Sequence, residues 1–305
     1  MKLSLFIYIC LNLIFLQLLS LESAYIDSGI NVLCVLGILF IGVAHGSIDN
    51  ILYGIKTTKA NILFIAKYVV VVLLLGCVWL VSPDFVLALF LLTSSYHFGQ
   101  AQFVDYKIRF KGLTKLLYLF WGGVITSSIF YFNAEEALNL QEPRSIQLIS
   151  YLHSQAFYFL ACAIAGFMLV FSTLSWYHKL SIQAYLKELY LLFLITASFS
   201  TLPTFVALSL FFVCLHSLNS MLHEYKFCKQ ELEVNSIKQF VKLLIPLTVT
   251  SLLGICVLFV IYSANIDFAF YALVILPSCL TIPHAFVMEK FYRRSVNQSL
   301  ATNTS

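Results

Sequence analysis

Residues 29–53 read GINVLCVLGILFIGVAHGSIDNILY, and no charged residue stands between Asp27 and Asp49. A helix rising about 1.5 Å per residue needs about 20 such residues to cross the roughly 30 Å hydrocarbon core of a bilayer. Lipid offers the backbone no hydrogen-bond partner, so a run of this length must satisfy its amides internally, as a helix does; the alternation of a barrel strand is absent. The stretch therefore predicts a membrane-spanning helix. Its inner end differs in kind, because His45 and Asp49 sit there among Gly42, Gly46 and Ser47. Ionisable side chains are expensive inside a membrane, and they mark functional sites by default.

The rest of the chain repeats the apolar theme. It is 61% hydrophobic and 10% charged, with a mean hydropathy of +0.92. Ten candidate spans are predicted, over 3–20, 29–53, 62–81, 85–103, 113–132, 155–177, 185–201, 204–223, 243–262 and 266–288. The fold class is thus all-α, a polytopic integral membrane helical bundle of about ten transmembrane helices. With ten spans, every lysine and arginine except Arg144 shares one side, while Glu22, Asp27, Asp84, Glu135, Glu136, Glu142 and Asp267 take the other. The positive-inside rule then places both termini in the cytoplasm, and the cell inner (plasma) membrane is the expected location. Read this way the net charge of +4 is a topology signal, and it calls for no nucleic-acid partner.

Shorter features fit the same plan. Leu202, Pro203 and Thr204 separate the seventh and eighth spans and predict a tight outer hairpin, with proline opening the returning helix. Lys2 precedes an apolar run that is long for a signal peptide, and LESAYIDSG is a poor cleavage site, so a retained first helix is expected. The eight cysteines show no close pairing and read as small buried apolar residues. The longest connections, about 133–154 and 224–242, are too short for a core of their own. The second carries Val234, Ile237, Phe240 and Val241 beside Lys238 and Lys242, the pattern of a short amphipathic helix on the inner surface. A single transmembrane domain is predicted over 1–294, followed by a disordered cytoplasmic tail over 295–305.

Four of the seven histidines fall deep in spans. His45, His97, His216 and His284 lie about 16, 12, 12 and 18 residues from the outer ends of helices that all run inward, so their depths agree within about 9 Å. His153 belongs to an outer connection, and His178 and His223 lie near inner span ends. One buried histidine is commonly a hydrogen-bonded packing residue; four at one level predict a shared metal site. A proton relay would favour residues strung across the membrane instead. Four imidazoles suit iron, zinc or copper by ligand type, and the absence of tight histidine clusters favours one mononuclear centre.

Neighbouring residues supply candidate supports. Asp49 lies one turn beyond His45, is the only carboxylate placed deep in a span, and is expected to orient a ligating imidazole. A direct bond to the metal, or a salt bridge at the helix end, are its other readings. Gln100 and Gln102 follow His97, while Ser217, Asn219 and Ser220 follow His216. Pro277 and Pro283 predict a kink that aims His284 inward.

At these residues the chain resembles the Brp/Blh family of membrane β-carotene 15,15'-dioxygenases. GVAHGSIDN at 42–50 resembles that family's G-x-P-H-G-x-x-D pattern, YHFGQAQ at 96–102 its H-F-G motif, HSLNS at 216–220 its H-S motif, and IPHAF at 282–286 its terminal P-H motif. The chain departs from the pattern at Ala44, where the family has proline, and at Ser220, where it has a further histidine. The resemblance implies cleavage of the central double bond of β-carotene by dioxygen, giving two retinal molecules at a non-haem Fe(II). It implies His45, His97 and His216 as iron ligands and His284 as the fourth, with Asp49, Gln100, Ser217 and Ser220 around them. β-Carotene and dioxygen would be the substrates, the bilayer the medium, and a retinal-binding rhodopsin a downstream acceptor. Two other classes stand beside this one. A histidine-based proton or ion transporter would show flux without iron, and a non-catalytic retinal or opsin assembly factor would bind retinal without making it.

Overall fold

The computed structural model of the protein describes residues 3–106, 108, 111–132, 147–178, 181–262 and 266–301. Helices fill almost all of them, with no strand among the described residues. In chain order they are α1 (Leu3–Leu19), α2 (Ala24–Leu52), α3 (Thr58–Val81), α4 (Pro83–Phe103), α5 (Lys111–Phe132), α6 (Gln147–Ser154), α7 (Ala156–His178), α8 (Ile182–Thr201), α9 (Thr204–Glu231), α10 (Ile237–Tyr262) and α11 (Ile266–Ala301). Each of the ten predicted spans lies on one of these helices, and α6 is an addition that the sequence did not announce. Among the described residues, seven of them (α2, α3, α5, α7, α8, α9 and α10) are long and apolar enough to cross a membrane. Of the others, α1 has 17 residues, and the C-terminal half of α4 carries Ser94, Ser95, His97, Gln100 and Gln102. The protein is an all-α polytopic membrane protein.

Local chemistry sets several helix ends. Thr57 caps α3 by accepting from the Ala60 amide at 3.3 Å, and Pro83 opens α4 where its missing N–H leaves nothing unpaired. Gly54, at φ +90°, makes the turn that closes α2, a conformation that costs glycine nothing. Pro203 precedes α9 in an extended conformation, so the predicted hairpin turn is present with proline one place earlier than a first helical residue. The connection between α9 and α10 is shorter than predicted: α9 runs on to Glu231 and α10 begins at Ile237, with Val234 and Phe240 buried. At the other end of the chain, α11 continues through Ala301, over most of the predicted tail. The predicted outer charges Glu135, Glu136, Glu142 and Arg144 lie outside the described residues.

The helices group into two compact units, one of Met1–Asp49 with Ser198–Ala272 and one of Asn50–Ala197 with Leu273–Ser305. In the first, α1 packs beside α2 and α9 and is tied by polar contacts. Ser4 donates to Asn219 Oδ1 at 2.9 Å, Ser198 to Asn12 Oδ1 at 2.5 Å, and Tyr8 is buried between them in sequence. Both α2 and α9 widen into π-helical turns, at Ile38–Gly42 and Phe211–Ser217, and these two turns pack on each other. Gly37 faces Val213 across this contact and Gly42 faces Phe212.

The second unit is built on α4, α5 and α7. An added Cβ at Gly99 would fall on the backbone of Tyr118, and one at Gly122 on the backbone of Ser95, so α4 and α5 touch main chain to main chain. Ser95 and Thr126 share a hydrogen bond of 2.8 Å across the same contact. Beyond it, Phe103 lies within ring-contact distance of Trp121, Phe167 and Phe171, an aromatic core in which all four side chains are buried. Large apolar side chains such as Val81, Leu169 and Phe193 stay exposed instead of entering these cores. This is the expected distribution when lipid rather than water is the solvent.

Candidate metal centre

The four deep histidines form two close pairs, one in each unit. His45 ends a short helical stretch, Val43–His45, just after the π turn of α2, and His216 lies inside the π turn of α9. Both are buried, and their ring centroids are 5.2 Å apart with planes at 86°. In the other unit, His97 of α4 and His284 of α11 are equally buried, 5.1 Å apart with planes at 88°. Two imidazoles bound through nitrogen at about 2.1 Å to one ion, at a near-tetrahedral angle, have ring centres about 5 Å apart. Each pair meets that spacing.

The protonation of His45 follows from its neighbour. Its Nδ1 is hydrogen-bonded to the carbonyl of Gly42, which can only accept, so Nδ1 carries the proton and Nε2 presents its lone pair. This backbone carbonyl holds the ring in the way the sequence assigned to Asp49. Behind both imidazoles stands Phe212, stacked on His216 at 5.5 Å and 20° and edge-on to His45 at 5.8 Å and 79°.

His97 and His284 are set by polar ties between helices. The indole of Trp79 donates to Ser278 at 2.8 Å and Tyr68 donates to the Leu280 carbonyl at 3.3 Å, fixing α11 on α3 beside its Pro277 and Pro283. Further along α11, Glu289 accepts from Tyr96 at 2.7 Å and from Gln100 Nε2, and pairs with Arg293. Tyr96 and Gln100 flank His97 on α4, so one carboxylate ties the residues on either side of that ligand candidate.

The supporting residues named from sequence, Asp49, Gln100, Ser217 and Ser220, are all buried. Beside Asp49, Glu188 and Glu224 are fully buried carboxylates within apolar helices. Glu188 accepts from Gln102 at 2.8 Å and from Tyr106 at 2.6 Å, so Gln102 serves this network. Glu224 lies two turns beyond His216, with Ser220 between them at the same helical spacing. It escaped notice because the predicted span stopped at 223. Phe212, the Gly42 carbonyl and Glu289 carried no signal in the sequence, Phe212 because it lies in the π turn. Of the remaining histidines, His153 is hydrogen-bonded to the Phe130 carbonyl at 3.2 Å, His223 lies on α9, and the side chain of His178 is outside the described residues. The eight cysteines are free, and Cys34, Cys214, Cys228 and Cys279 are buried as expected, while Cys77, Cys162 and Cys256 are exposed.

Apolar helices thus bury four histidines as two pairs at a spacing that could hold a metal ion. Residues 36–292 match the family model described as Beta-carotene 15,15'-dioxygenase, and the chain belongs to that family. All four histidines lie within the matched region. No curated protein and no solved structure matches the chain.

Proposed function

We propose that this protein cleaves the central 15,15' double bond of β-carotene with dioxygen, yielding two retinal molecules, at one ferrous ion held by His45, His97, His216 and His284. The observation that carries the proposal is the pairing of these four buried imidazoles at ligand spacing in a chain of this family. The residues fit such an ion: a ring whose Nδ1 is held by a carbonyl offers Nε2, and four neutral imidazoles form a nitrogen-only donor set. A bound ferrous ion supplies an open-shell centre through which dioxygen can react with a closed-shell alkene. The balance needs nothing else. The carbon–carbon double bond and the oxygen–oxygen bond both break, each alkene carbon gains one oxygen as an aldehyde, and no external electrons or protons enter.

The chain's own part is binding, orientation and exclusion of water. Neutral imidazoles would leave the charge of a bound cation largely uncompensated, and no acid or nucleophile is required of the protein. Gly42 and Phe212 hold one pair of rings; the Tyr96–Gln100–Glu289 network holds the helices of the other. His284 stands as fourth ligand where Ser220 occupies the position of the family's further histidine, and Ser217, Ser220 and Asp49 are polar supports around the site. A hydrocarbon substrate dissolved in the bilayer reaches such a centre sideways, without extraction into water. Retinal would leave by the same medium, toward a retinal-binding rhodopsin, in the inner (plasma) membrane.

Expression in β-carotene-producing cells tests this directly. Loss of carotene colour with formation of retinal is expected from the wild type, and a fall of at least about 100-fold from His45→Ala. Retinal formation that survives His45→Ala would overturn the metal assignment.

A further inference from the structure

Phe212 touches both imidazoles of one pair, and the space it uses is the space of a missing side chain. A Cβ built at Gly42 would lie 2.5 Å from Phe212 Cε1 and 3.2 Å from its Cδ1. The half-buried ring lies against His216 on one face and meets His45 at its edge, so any retreat disturbs both contacts. Gly42 has a second duty, since its carbonyl accepts the proton of His45 Nδ1. Both residues lie in π-helical turns, where the extra residue per turn rotates side chains away from their ordinary helical directions.

We propose that Phe212 is a positioning residue that sets the mutual angle of the His45 and His216 rings, and that Gly42 is required because only a hydrogen there leaves room for it. The phenyl face fixes the plane of His216, its edge fixes the swing of His45, and the Gly42 carbonyl then locks His45 in the tautomer that offers Nε2. The inference deepens the metal reading of the site and rests on it only for the affinity arm of the test.

The test uses the full-length protein in detergent with Gly42→Ala, Phe212→Leu and the double variant. Nitrogen NMR of the metal-free protein reports which imidazole nitrogen carries the proton. A single Nδ1–H tautomer is expected for His45 in the wild type, and a tautomer mixture in each single variant. His97 and His284, in the other unit, should keep their wild-type signals and so certify the fold. Because the alanine methyl acts through the phenyl ring, the double variant should look like Phe212→Leu alone. Titration with Co²⁺ should show the same pattern, with affinity about 10-fold lower in each single variant and no further loss in the double. A His45 that keeps one tautomer in both single variants overturns the proposal, as do effects that add in the double. A wild type that binds no Co²⁺ counts against the metal reading alone, because the tautomer measurement still decides the role of Phe212.

Discussion

At the scale of single residues, glycines and rings decide more than the charged groups do. Gly99 and Gly122 stand where the backbones of α4 and α5 touch, while Gly29 and Gly76 have nothing within 4 Å of an added Cβ. Gly99→Ala and Gly122→Ala are expected to destabilise the protein by about 1–3 kcal/mol or more, because main chain must move. Gly29→Ala and Gly76→Ala should be neutral or stabilising by up to about 1 kcal/mol, through lower chain entropy. Unfolding curves in detergent separate the two pairs, and equal effects would contradict the packing described. The four histidines were legible in sequence because imidazoles are rare in lipid and their depths matched. Phe212 and the Gly42 carbonyl were not, because side-chain directions inside a π turn do not follow the 3.6-residue period from which faces are read.

At the scale of elements, buried carboxylates join helices that hydropathy alone treats as independent. Glu188 on α8 binds Gln102 at the C-terminal end of α4 and Tyr106 just beyond it. Burial first, and then the Glu188 carboxylate as charge and as hydrogen-bond acceptor, holds the Tyr106 phenol protonated well above the usual tyrosine range. A folded-state value raised in this way contributes stability that is complete below the unfolded value of about 10 and is lost as pH rises beyond it. Glu188→Gln should therefore bring the Tyr106 titration part of the way back, since burial remains. Phenolate absorbance, with Tyr106→Phe as the blank, measures the shift; an unchanged titration would exclude the contact.

On α11, Glu289→Ala should free Tyr96 and Gln100 and loosen His97 against His284. A drop in iron affinity of about 10-fold or more is expected, with Glu289→Gln milder because it keeps an acceptor for Tyr96. Metal titration checks this, and equal affinity in wild type and Glu289→Ala would remove Glu289 from the support of the site. The helices themselves were legible from apolar length, and so was the hairpin at Pro203. Glu188, Glu224 and Glu289 gave no such signal, because a carboxylate near a span end reads as an interfacial charge until its partners on other helices are known.

For the whole molecule, the apolar surface, the inward-facing histidines and the family all point to chemistry performed on a lipid-soluble substrate. The division into two units, each with its own imidazole pair, could not be read from the chain, since it depends on contacts between segments as distant as residues 4 and 219. The charge segregation, in contrast, is a sequence property with a direct consequence: reporters fused to either end should both be cytoplasmic.

The metal content of the purified protein, measured for the wild type and for alanine variants of His45, His97, His216 and His284, bears most directly on the claim that these rings serve one ion. One iron per chain in the wild type, lost from every variant, is the predicted result. Two metals per chain, or a variant of either pair that keeps its full complement, would contradict it.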